Sequence, residues 1–343
     1  MARGEFDLIA AIRERLPAPG PRLRVGSGDD AAVVETEGLA HAVTVDAQVE
    51  GVHFTLPEFP PEAIGRKALA AALSDLAAMG ADPGEAYISL GAPAEAADEL
   101  LLGIADGLAE VAGREGVSIA GGDLVGAPLL VLSVTAIGYE TTDAPLVTRT
   151  GASPGEAVVV TGELGGAAAA LALLDPGEEG AAPDLPEEIR EAILARQLDP
   201  HPRLQAGGAL ARAGATAMID LSDGLGADAA HLARAGGCRL EIALEKVPVA
   251  DGVAAIAGGE RAALELAASG GEDFELLATL PAERIGEASD AVSATGSKLT
   301  EIGYAAEGEG IALRLPDGGD LEARGFDHRR ESGSGSDSGS GSG

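Results

Sequence analysis

From Ala68 to Ala81 the chain reads Ala-Leu-Ala-Ala-Ala-Leu-Ser-Asp-Leu-Ala-Ala-Met-Gly-Ala, a run with one charge, Asp75. Pro61 near its start and Gly80 past its end predict a helix over 61–79. A helix apolar on nearly every side is enclosed on nearly every side, so this one belongs inside the fold. Its carboxylate then needs a partner, because an unpaired buried charge costs on the order of several kcal/mol. A backbone amide or an arginine would satisfy it structurally. A metal ion would satisfy it and give it a task, and we read Asp75 as a metal ligand.

The same argument extends to short acidic clusters joined to glycine: Gly28-Asp29-Asp30, Gly121-Gly122-Asp123, Asp220-Leu221-Ser222-Asp223-Gly224 and Gly270-Gly271-Glu272-Asp273. Each adjoins an apolar stretch. Carboxylates placed that way bind cations, and glycine lets the backbone approach a phosphate. Asp46 and Asp220 each close an apolar strand-like segment, a common position for ligands in α/β proteins. Bland alternatives exist for each: a surface turn at Asp29-Asp30, tight turns at Gly121-Gly122-Asp123 and Gly270-Gly271, a helix N-cap at Ser222 or Asp223. Their number favours a magnesium–nucleotide site, since magnesium prefers oxygen ligands and bridges carboxylates to phosphates. The chain has no Gly-x-x-x-x-Gly-Lys-Ser/Thr loop and no protein-kinase motif set, so ATP chemistry here requires another scaffold.

A length of 343 residues exceeds one ordinary core, and an aromatic content of 2% makes the core aliphatic. Short strands are predicted at 31–34, 41–46, 85–90, 129–138, 157–161 and 274–280, with helices over 61–79 and about 95–115. Phe6, Ile9, Ile12 and Leu16 share one helical face at the start. Mixed helices and strands without a Rossmann fingerprint predict an α+β fold of two α/β domains. We expect boundaries at 1–148 and 149–330, followed by a disordered Gly/Ser tail at 331–343. A single cysteine, Cys238, and no apolar run of membrane-spanning length predict a soluble cytoplasmic protein. The net charge of −33 disfavours nucleic-acid binding and, with only Lys67, Lys246 and Lys298 as lysines, reads as adaptation to a salt-rich cytoplasm.

Taken together, Gly28-Asp29-Asp30-Ala31-Ala32, Thr44-Val45-Asp46, Glu50-Gly51-Val52-His53-Phe54, Ser74-Asp75-Leu76-Ala77-Ala78-Met79-Gly80-Ala81, Gly121-Gly122-Asp123, Thr148-Arg149, Asp220-Leu221-Ser222-Asp223-Gly224-Leu225, Gly270-Gly271-Glu272-Asp273-Phe274-Glu275-Leu276 and Gly325-Phe326-Asp327-His328 resemble the thiamine-monophosphate kinase family. That family lies in the aminoimidazole-ribonucleotide synthetase superfamily. The resemblance implies ATP-dependent phosphorylation of thiamine monophosphate to thiamine diphosphate by direct transfer. It also implies a homodimer built through the N-terminal sheets.

By the same resemblance, Asp30, Thr44, Asp46, Asp75, Asp123, Asp220 and Asp223 hold magnesium. Gly122, Asp123, Arg149 and Ser222 contact ATP, and His53, Glu272 and Phe326 contact the thiamine phosphate. Asp75, Arg149 and Asp220 carry the catalytic roles. Phe326 would stack on the thiazolium, or else only cover the core. We expect His53 to bind rather than to act as a base, since a phosphate nucleophile is already ionised near neutral pH. Leu124-Val125 departs from the small hydroxyl residues usual in the family. The remaining alternatives are a sister synthetase of the purine type or of the selenophosphate type, the latter disfavoured by the lack of an N-terminal cysteine and lysine pair, and a non-catalytic cation-binding protein.

Overall fold

The computed structural model describes residues 23–25, 29–36, 39–56, 58–175 and 183–322. The apolar run around Asp75 forms helix α1 (Pro61–Ala78), with proline in its first turn. From Lys67 to Gly80 every residue is buried except half-buried Asp75. Gly80 ends the helix in the left-handed region (φ +63°), and the Ala81 amide donates back to the Leu76 carbonyl.

One side of α1 lies against a six-stranded sheet made of β1 (Leu23–Val25), β2 (Ala32–Thr36), β3 (Leu39–Val49), β4 (Asp82–Ala92), β5 (Ser118–Gly126) and β6 (Val131–Tyr139). Its order is β1-β2-β3-β6-β4-β5, with only β4 and β5 parallel. That parallel pair needs a crossover, which α2 (Asp98–Glu115) supplies while packing on α1. The two helices meet backbone to backbone: a Cβ at Gly107 would lie 1.9 Å from the Glu62 carbonyl oxygen. Strands β3 and β6 alternate, burying Ala40, Ala42, Thr44 and Leu132, Val134, Ala136 towards the helices.

The second half contains a seven-stranded sheet, ordered β13-β12-β9-β11-β7-β10-β8. Its strands are β7 (Ala157–Thr161), β8 (Ala217–Asp220), β9 (Arg239–Ala243), β10 (Leu276–Leu280), β11 (Leu299–Ala306), β12 (Gly310–Arg314) and β13 (Asp320–Leu321). Its helices are α3 (Gly166–Leu174), α4 (Glu187–Leu198), α5 (Leu204–Arg212), α6 (Leu225–Gly236), α7 (Val253–Ala257), α8 (Glu260–Ser269) and α9 (Ile285–Ser293). Every residue of β7, β8 and β10 is buried, and all of them are apolar except Thr161, Asp220 and Thr279.

The core containing α1 continues into this half through Leu204 and Leu210 of α5, Met218 of β8 and Leu276 of β10. At Gly207 of α5, a Cβ would sit 2.0 Å from the Ala77 carbonyl oxygen. Helix α1 is therefore a wall shared by both halves, and the carboxylate it carries can face both. Two α/β halves with mixed helix and sheet agree with the α+β expectation.

Several sequence-based boundaries shift. Asp46 does not end its strand: β3 runs three residues further because Ala47, Gln48 and Val49 still pair with Ser133, Leu132 and Val131. Gly121-Gly122-Asp123 is not a tight turn but part of β5, paired with Tyr87, Ile88 and Ser89. The strand expected from Phe274 begins at Leu276, because Phe274 adopts φ +50°. The expected helix over 6–16, Gly28, the segment 325–328 with Phe326, and the tail from 331 lie outside the described residues. No helix among the described residues is long and apolar enough to cross a membrane.

Candidate active site

Three carboxylates meet above α1. Asp30 precedes β2, Asp75 is in the last turn of α1, and Asp220 ends β8. One oxygen from each lies within 4.8 Å of the other two. Asp75 accepts a hydrogen bond from the Thr44 hydroxyl of β3, and the neighbouring Ser74 hydroxyl donates to Asp220 at 2.7 Å. Arg149 grips Asp30 with two parallel bonds of 2.8 and 2.9 Å, and its backbone amide donates to Asp29. Burial works against the Arg149 charge, but the Asp30 carboxylate more than offsets it and raises the guanidinium's affinity for its proton.

The electrostatics of the cluster are adverse to three anions. Burial, then the Asp220 and Asp30 charges, push the Asp75 carboxyl well above the usual carboxylate range. Burial and then Asp30 do the same to Asp220. Burial and Asp30 raise Asp29 to about 6. Asp75 also sits at the negative end of the α1 dipole, a poor place for an anion. An all-oxygen, mutually repelling donor set of this size fits a hard divalent cation such as magnesium.

Asp75 and Asp220 open onto a cavity of about 580 Å³, lined also by Asp46, His53, Ser222, Asp223 and Glu272 among others. Two tight loops form one wall. Gly271 is required there, since a Cβ would lie 2.5 Å from the Ser222 carbonyl oxygen. The Glu272 amide donates to that carbonyl at 2.8 Å, and the Phe274 amide donates to Leu221 at 3.0 Å. Glu272 is held at φ +66°, a strained value for a side-chain-bearing residue. His53 accepts the Val49 amide at Nδ1, which leaves its proton on Nε2 as a donor.

The turn at 222–224 is not capped by Ser222 or Asp223. The N-cap of α6 is Gly224, and Asp228 reaches back one turn to accept the Asp223 and Gly224 amides at 3.1 and 3.0 Å. Asp228 is a site residue the sequence reading missed; an acidic residue in the first turn after Asp-Gly was its only signal. Ser74 was likewise overlooked, although it directly precedes Asp75. Asp273 accepts the Gly165 and Ala167 amides at the start of α3, and burial still raises it to about 7.

Two expected ligands stand apart. Asp46, Val134, Ile88 and Gly122 form one transverse row across β3, β6, β4 and β5. Three strand spacings place Gly122 roughly 14 Å from Asp46. Asp123 falls in the next row with Ala47, so it faces away from α1. A single chain thus brings Asp30, Thr44, Asp46, Asp75, Asp220 and Asp223 to one cavity region but leaves Gly122 and Asp123 outside it. Phe326 lies outside the described residues.

Residues 28–139 match the family described as AIR synthase related protein, N-terminal domain, and residues 153–316 match its C-terminal domain. Over 334 residues the chain is 37% identical to thiamine-monophosphate kinase of Escherichia coli strain K12, covering 96% of this chain and 99% of the relative. The Mycobacterium tuberculosis protein of that name is 40% identical over 287 residues, 80% of each chain. Among solved structures, AaThiL complexed with AMPPCP and TMP superposes with a TM-score of 0.82 at 33% identity, covering 96% of this chain and 99% of that one.

Raised carboxyl pKa values predict how stability varies with pH when no metal is bound. Such groups hold protons more tightly folded than unfolded, so their contribution is full below the unfolded value and lost as pH rises through the folded one. For Asp29 and Asp273 the window runs from 3.8 to about 6 and about 7. In molar potassium chloride, the melting temperature of metal-free protein should fall from about pH 5 to about pH 8, and magnesium should restore it more at the higher pH. A flat or rising profile, or indifference to magnesium, would contradict the cluster described above.

Proposed function

The chain belongs to the thiamine-monophosphate kinase family, and from that premise we propose that it transfers the γ-phosphoryl group of ATP to thiamine monophosphate. The bond from the γ-phosphorus to the ATP bridging oxygen breaks, a bond to a phosphate oxygen of thiamine monophosphate forms, and ADP and thiamine diphosphate result. The observation that carries this reading is the convergence of Asp30, Asp75 and Asp220, from both halves of the chain, in one cluster whose Asp75 and Asp220 line the cavity. The ligands captured by similar AaThiL, AMPPCP and TMP, are of the kind this reaction requires.

Asp30, Thr44, Asp46, Asp75, Asp220 and Asp223 are assigned to magnesium. Bound there, magnesium would neutralise phosphate charge and clamp attacking and leaving oxygens. Arg149, bidentate on Asp30 in this structure, is assigned the sharing of phosphate charge. Ser222 offers a hydroxyl to the nucleotide from the 220–224 turn. His53 presents its Nε2 proton to the substrate phosphate, and Glu272 presents an acceptor to the amino-bearing ring. No general base is needed, because phosphoryl transfer rests on positioning and charge neutralisation.

Gly122 and Asp123 are assigned to a nucleotide site completed at a dimer interface. Opposite α1 and α2, the first sheet exposes Leu39, Val45, Tyr87 and Tyr139, and edge strand β5 is exposed along its whole length. A second copy covering that face would bury this apolar surface and bring another chain to Asp123. In this division residues 1–148 supply the interface and most magnesium ligands, while 149–330 close the cleft. Sedimentation at molar salt should give twice the chain mass; a single-chain mass in active protein would remove this interface.

Purified protein with ATP, magnesium and thiamine monophosphate in molar potassium chloride should yield thiamine diphosphate and ADP in equal amounts. Asp75→Asn should lower kcat by about 100-fold or more while melting no earlier than the parent without metal. Folded dimer that makes no thiamine diphosphate would refute the kinase reading.

A further inference from the structure

Lys67 is 1% exposed, an unusual place for an ammonium in a chain with so few lysines. Its three donors are all used. Nζ lies 2.7 Å from the His53 carbonyl oxygen, 2.7 Å from Gln197 Oε1, and 2.8 and 2.9 Å from the two Glu272 carboxylate oxygens. The Phe59 ring lies beneath it, 5.3 Å from centroid to Nζ. Gln197 of α4 closes the circuit by donating its amide nitrogen to Glu272 at 2.8 Å.

The ammonium therefore holds the backbone of one cavity residue and the side chain of another. His53 and Glu272 come from opposite halves of the chain and both line the cavity, whereas Lys67 lies behind the wall and Ala71, one turn along α1, reaches the lining. Glu272 is also one of the two residues with strained backbone in this loop, so its carboxylate direction depends on what grips it. Without the ammonium, a partly buried carboxylate would turn to other donors.

Resting on the kinase reading above, we propose that Lys67 is a positioning residue for the acceptor substrate: it fixes the Glu272 carboxylate and the His53 backbone in register across the cleft. It touches neither substrate nor the reacting phosphates. Its contribution belongs to recognition of the thiamine phosphate and not to ATP or to the phosphoryl step. A merely structural ion pair would affect folding without discriminating between the two substrates.

The test is a double-mutant cycle on the full chain, using Lys67→Met, Glu272→Gln and the combined variant, with KM measured for each substrate. Lys67→Met should raise KM for thiamine monophosphate about tenfold or more, with KM for ATP and kcat within about threefold of the parent. The combined variant should raise that KM by clearly less than the product of the two single effects, because both substitutions disable the Glu272 carboxylate and only the hold on the His53 carbonyl is lost in addition. Should Lys67→Met fail to fold, Lys67→Gln, which keeps one donor, replaces it in the same cycle. Equal rises in both KM values, or effects that multiply, overturn the positioning role while leaving the kinase reading intact. A folded parent that does not phosphorylate thiamine monophosphate overturns both.

Discussion

The repulsion among Asp30, Asp75 and Asp220 is the constraint around which the rest is arranged. Carboxylates whose oxygens crowd within 4.8 Å, largely removed from water and set on the negative end of a helix, cannot all stay ionised without compensation. Arg149 compensates for Asp30 through two bonds, and the hydroxyls of Thr44 and Ser74 bind Asp75 and Asp220. What these leave unbalanced would favour a divalent cation. Under the proposed kinase reading, metal ions bound there would reverse the sign of the local field and so admit anionic substrates to the acidic cleft.

Holding such a cluster requires rigid surroundings, and these come from α1. It is packed on the first sheet, on α2 and on α5, with glycines at the crossings where the backbones touch. Asp75 therefore has little freedom to retreat from its neighbours. On the other side, the loops at 220–224 and 270–275 are tied to one another by the amides of Glu272 and Phe274. Three successive acidic side chains of the second loop are anchored in different directions: Glu272 to Lys67, Asp273 to the start of α3, and Glu275 to Arg203, Arg196 and Thr161. The two positive-φ residues of that loop are the local strain this anchoring sustains.

Much of this was legible in the sequence. A single charge in an otherwise apolar helix identified Asp75, since burial and charge conflict wherever that helix packs. Asp220 and Asp223 were legible because glycine and aspartate follow an apolar strand directly. Lys67 and Ser74 were not, since each acts through a partner distant in sequence: Lys67 and Glu272 are 205 residues apart, and Ser74 and Asp220 are 146 apart. Gly121-Gly122-Asp123 misled in the opposite way. Glycine pairs suggest turns, but parallel pairing with β4 drew them into a strand and turned Asp123 to the far face. Position along an alternating strand depends on register, which local composition does not specify.

The most direct measurement is a crystal structure of the protein grown with manganese and a non-hydrolysable ATP analogue, with the ions located by anomalous scattering. The expected result is an ion bound by carboxylate oxygens at about 2.0–2.3 Å, with Asp75 from the first half and Asp220 from the second among its ligands. An ordered nucleotide with its metal held elsewhere, and Asp75 and Asp220 still bonded only to Thr44 and Ser74, would contradict it.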